Sequence, residues 1–153
     1  MRKLIEYLRI TFISFEFLYA IGISALALFL PNAPSAVGET LKGNTEMLKW
    51  IPVLPLAICG VVFKLAWRLT SPSSGSNREL YEWPDYWRLT CRRDFSIVLS
   101  AFVALASVSL WIFSGSISNF WLGYLFCLAL GVAGIDLACL TFACFRIKEI
   151  TEP

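Results

Sequence analysis

Four stretches of about twenty residues, each nearly free of charge, constrain this chain more than any motif in it. They cover residues 10–30, 50–69, 95–113 and 120–145. A helix rises about 1.5 Å per residue, so roughly twenty residues match the ~30 Å hydrocarbon core of a bilayer. Hydrophobic residues make up 58% of the 153 positions and charged residues 16%, too little charge to cover a soluble domain. Backbone polar groups in hydrocarbon must pair within their own segment, and four strands cannot close a barrel, so the blocks are predicted to be helices. The expected fold is all-α: a polytopic membrane protein with an antiparallel four-transmembrane-helix bundle, in one domain spanning residues 1–153.

The connections differ sharply in charge. Residues 31–49 are polar and rich in breakers (Pro31, Pro34, Gly38, Gly43, Asn44) and read as an external loop, with one helical turn near Glu46. Residues 70–94 form a longer loop that begins with the turn-rich run TSPSSGSN. Pro84 suits a first helical position, from which the helix can run on into the third block. Pro52 and Pro55 are expected in the first turns of the second span, where a missing N–H costs least. Arg2, Lys3 and Arg9 precede the first block. Arg68, Arg78, Arg88, Arg92 and Arg93 fall in or beside the middle loop, and Arg146 and Lys148 follow the last block. The two opposite connections carry only Lys42 and Lys49. The positive-inside rule then puts both termini and the middle loop in the cytoplasm, as in a multi-pass protein of a cell inner membrane. The first block is too long for a signal-peptide core and is interrupted by Glu16, so an uncleaved signal-anchor is expected.

Several activities are disfavoured. The chain has no histidine, which removes Ser-His-Asp and Cys-His catalysis and histidine-ligated metals. The five cysteines (Cys59, Cys91, Cys127, Cys139, Cys144) contain no C-x-x-C pair and read as small apolar residues or a reduced thiol. A net charge of +2 is small for a nucleic-acid binder. No catalytic residue, cofactor or metal is expected.

Three ionisable residues interrupt the apolar blocks: Glu16, Lys64 and Asp136. A charge near the centre of a spanning helix costs about 2.5–3.5 kcal/mol on insertion scales, so each needs a partner or water. Glu16 and Lys64 lie at similar depth and are expected to pair, within one protomer or across a subunit contact. Lys64 can also reach the headgroups alone. Asp136 lies near the midplane. It is either protonated, hydrogen-bonded between helices, or lining a wet cavity, and a proton or cation path would use it.

Small residues form stripes that let helices approach closely. Gly123, Cys127, Gly131, Gly134 and Ala138 make one in the last block. Ser96, Ser100, Ala104 and Ser107 make another, and Glu16, Ala20, Ser24 and Ala27 a third. Either all three face the bundle centre, or some join copies into a homo-oligomer, the expectation adopted. The run YEWPDYW at 81–87 concentrates Tyr81, Trp83, Tyr86 and Trp87, and Arg88, Arg92 and Arg93 follow. Such a segment suits an interfacial helix entrance on anionic lipid. A docking surface for a cytosolic protein is the sharper alternative, since Trp, Tyr and Arg anchor protein interfaces, and the two are compatible if only part of the segment touches lipid.

A four-span layout with a charged, aromatic inner loop at 78–94 and a sparse outer face resembles the membrane subunit of the Kiwa bacterial antiphage system. The resemblance implies an oligomeric membrane sensor working with a cytosolic DNA-binding partner, contacted through the inner loop and the tail from Arg146. Two further functions compete with a non-enzymatic scaffold or sensor. One is a small oligomeric ion channel or membrane-disrupting effector, built on the intramembrane charges and small stripes. The other is a membrane enzyme or lipid-binding protein using Arg92 and Arg93.

Overall fold

The computed structural model describes residues 14–68 and 86–151, with side chains to 145, and is helical throughout apart from short connections. Five helices follow in order: α1 (Phe15–Phe29), α2 (Asn32–Gly43), α3 (Thr45–Arg68), α4 (Tyr86–Ile112) and α5 (Asn119–Thr151). No strand occurs among the described residues.

Local chemistry sets the helix ends. Ser14 caps α1: its backbone is extended and its hydroxyl accepts from the Phe17 N–H at 3.2 Å. Glu16 sits in the first turn, where the helix dipole favours a carboxylate. Pro31 lies just beyond the end of α1, and the chain turns by 95° into α2. The segment read as an external loop, 31–49, is thus mostly helical. Pro34, two residues into α2, falls in the first turn, where no N–H is needed. The Asn44 side chain accepts from the Glu46 N–H at 2.9 Å and starts α3.

That early start corrects the expectation for Pro52 and Pro55. Both lie inside α3, past its first turn. Each removes a donor, so the Leu48 and Ile51 carbonyls lack their usual partners four residues on. Helix α4 continues without a break from Tyr86 into the apolar block.

Helices α3, α4 and the stretch Asn119–Phe145 of α5 are each long and apolar enough to cross a membrane, and α1 with α2 qualifies as a bent pair. Many large apolar side chains face outward, among them Leu28, Phe29, Phe102, Leu105 and Phe142. An apolar periphery of this extent is consistent with a surface that meets a membrane.

Helix α5 packs against all four other helices. Three layers make the core. Leu41, Ile51, Leu110 and Leu122 form the layer nearest α2. Cys59, Val103 and Ala133 form the middle layer. Val62, Ala66 and Leu140 form the far layer, with Leu89 and Ile97 against it. Trp50, Trp111 and Trp121 each adjoin a residue of the first layer and are exposed, while Trp67 adjoins the last layer and is exposed too. Trp50 and Trp67 are separated by about 26 Å of helix, close to the spacing of the two aromatic belts of a membrane protein. All five cysteines are free thiols.

Glycine permits two very close approaches. A Cβ on Gly38 would collide with the Asn119 carbonyl, and one on Gly123 with the Pro34 carbonyl, so α2 lies directly on the start of α5. A Cβ on Gly131 would collide with the Tyr19 ring of α1.

Candidate functional site: a buried ion cluster

Three helices each send one charged side chain to a single point. Glu16 comes from the first turn of α1, Arg92 from the second turn of α4 and Asp136 from the middle of α5. Glu16 is 3% exposed and Asp136 1%. The Arg92 guanidinium donates to Glu16 Oε1 and, at 3.2 Å, to Asp136 Oδ1. Ser96, one turn along α4 from Arg92, donates its hydroxyl to the same Asp136 Oδ1 at 2.7 Å. The Phe95 ring lies 5.7 Å from the Arg92 guanidinium carbon, a cation–π contact on its remaining side.

The second oxygens, Glu16 Oε2 and Asp136 Oδ2, are buried and accept no hydrogen bond among the described residues. One guanidinium thus faces two carboxylates. Removing one partner from such a buried pair costs about 3–5 kcal/mol, because a desolvated charge is left alone. The arrangement is an electrostatic latch. It joins α1 to α4 and α5 and holds the start of α4 against the other two helices.

The expected pairing of Glu16 with Lys64 is corrected: Glu16 pairs with Arg92 within the protomer, and Lys64 is exposed. Helical phase explains this. Val62 and Ala66 turn toward the core, and Lys64, midway between them, projects to the opposite side. Asp136 is hydrogen-bonded between helices, one of the three states expected of it. Arg92, expected to meet lipid or a partner, turns inward instead. A signal for this was present: Arg92 continues the Ser96–Ser100–Ser107 stripe by one turn, and all three serines are buried.

The other aromatic and basic positions divide. Arg88 is exposed and lies over the Trp87 ring, 5.6 Å from its centre, while Arg93 pairs with Asp94 at 2.7 Å. Tyr86 and Trp87 are half-buried. Tyr81 and Trp83 lie outside the described residues, as do the side chains of Arg146 and Lys148. The small stripe of α5 also divides. Gly123 and Gly131 are covered by α2 and α1, and the Cys127 carbonyl accepts from the Tyr19 hydroxyl at 3.1 Å. Gly134 has open space on its Cβ side, and Ala138 is exposed. Among the described residues no group of three His, Cys, Asp or Glu side chains is placed to hold a metal.

Comparison of the chain with protein-family models, curated proteins and solved structures gives no match. The site therefore stands on its own geometry.

Proposed function

We propose that this chain is a non-enzymatic, oligomeric membrane scaffold or sensor that recruits a cytosolic protein through residues 78–94 and the tail from Arg146. In this reading the four spans run antiparallel, with both termini inside a bacterial inner membrane. The observation that carries it is the latch. Arg92 belongs to the polar approach to α4, yet its guanidinium is held by carboxylates from α1 and α5. A shift of α1 within the membrane thereby acts directly on the segment offered to the cytosol.

Other features support the reading. Arg88 and Trp87 stack at the start of α4, a pairing suited to a protein interface. Gly134 and Ala138 leave a small-residue patch open on α5, which suits contact with a second copy. The layout's resemblance to the Kiwa membrane subunit suggests antiphage defence as the setting. A channel has less support, because Glu16 and Asp136 turn to Arg92 inside one protomer rather than toward a shared wet axis.

The test is purification of the tagged full chain from its native membrane in mild detergent, with mass spectrometry of the intact complex. A soluble protein in fixed ratio to a defined oligomer is expected. Trp83→Ala with Trp87→Ala should release it and leave membrane insertion unchanged. Recovery of a bare homo-oligomer from the unaltered chain would count against recruitment and return the channel reading to the front.

A further inference from the structure

An apolar groove of about 510 Å³ runs along α4 and α5 and meets α1 at Ala20. Its walls include Ala20 of α1, Phe102 and Ala106 of α4, and Leu125 and Ala129 of α5. The hydroxyl of Ser107, one of the few polar groups in the lining, is committed to the Val103 carbonyl at 2.8 Å. A cavity so lined gives water no partner and favours an apolar occupant.

The two ends of the groove differ. At one, Ala20, Leu99 and Val132 each stand about one turn from Glu16, Ser96 and Asp136, so the ion cluster closes it. At the other, the groove reaches Phe113 and Ile117 in the α4–α5 connection. The Ile117 carbonyl accepts from the Lys42 ammonium, which has further N–H donors to offer. Exposed Trp111 and Trp121 mark this end as the headgroup level.

Dimensions select the occupant. From Leu99 to Phe113 the groove follows α4 for about 21 Å, somewhat more than one leaflet of a ~30 Å core. With the radius of a water molecule added on each side of that 510 Å³ space, the groove is roughly 8 Å wide on average, narrower than a helix with its side chains, at about 10–12 Å. A helix from a second copy does not fit, but a single hydrocarbon chain does. We propose that the groove holds one acyl chain of a phospholipid from the leaflet on the α2 side, its phosphate resting on the Lys42 ammonium. This rests on the transmembrane placement of the helices and not on recruitment of a partner.

The experiment uses the full chain in detergent, titrated with dioleoyl phosphatidylglycerol and read by native mass spectrometry. One phospholipid per protomer is expected to survive transfer. Ala106 is exposed on the groove wall, so Ala106→Trp fills the space without disturbing the core, and helix content by circular dichroism checks the fold. It should weaken binding at least about tenfold, as the chain's apolar contacts are lost. Lys42→Gln, or dioleoylglycerol in place of the phospholipid, should weaken it roughly tenfold, the scale of one charge-assisted hydrogen bond. Lys64→Gln, which alters an exposed lysine outside the groove lining, should leave it unchanged. Equal binding by the unaltered chain and Ala106→Trp overturns the proposal. So does absence of bound lipid at saturation, or a change of oligomer mass in Ala106→Trp with lipid retained, which would make a second copy the occupant.

Discussion

Replacing Arg92 with alanine leaves Glu16 and Asp136 as two buried carboxylates with no cation between them. The expected cost is about 3–5 kcal/mol. In a chain of this size each kcal/mol shifts the melting temperature by roughly 2–4 °C, so thermal unfolding in detergent should fall by about 10 °C. Removing all three charges together, as Glu16→Leu, Arg92→Met and Asp136→Leu, should cost far less than Arg92→Ala alone, because no desolvated charge then remains. Lys64→Gln should move the transition little, since that side chain is exposed and distant from the latch. If the triple variant melts below the single one, the charges contribute something other than mutual neutralisation.

The helices are fitted together by glycine where side chains leave no room. Gly123 lies beneath the Pro34 carbonyl, so Gly123→Ala must push α2 off the start of α5. Backbone cannot yield as a flexible side chain can, and a loss of about 1–3 kcal/mol is expected from the overpacking. Gly134→Ala meets open space on the same helix. There the better helix propensity of alanine should leave stability unchanged or raise it by up to about 1 kcal/mol. Melting both variants side by side in one detergent tests the contrast. Equal effects would mean that α2 is not seated on α5 in the membrane.

For the whole molecule the question is whether the candidate spans and the segment proposed to face the cytosol move as one. The latch makes a specific demand on the scaffold or sensor reading. Arg92→Gln should change partner recovery from native membranes several-fold even where helix content is preserved, because the start of α4 is no longer tied to α1 and α5. Recovery equal to that of the unaltered chain would leave the latch as a stability element only. The cost of the uncoupling follows from the same 3–5 kcal/mol range, enough to shift a two-state equilibrium by more than a hundredfold.

The helical, membrane-type character of this chain was legible from its sequence, because the bilayer fixes the length of apolar run and the backbone pairing that any span must have. Glu16 and Asp136 were legible as residues in need of partners for the same reason. Their partner was not. Depth along a helix can be counted at 1.5 Å per residue, but pairing also depends on which way each helix is turned about its axis. Lys64 has nearly the right depth and the wrong phase, while Arg92 was assigned to the surface by its neighbours in sequence. The 31–49 connection departs from the expected loop for a related reason: its prolines and glycines look like loop punctuation until α5 supplies a surface on which α2 packs, with Gly38 and Gly123 as the points of contact. What only the tertiary structure decided is therefore rotation and contact — which face of each helix meets which neighbour — because those are set by packing among distant segments rather than by any one of them.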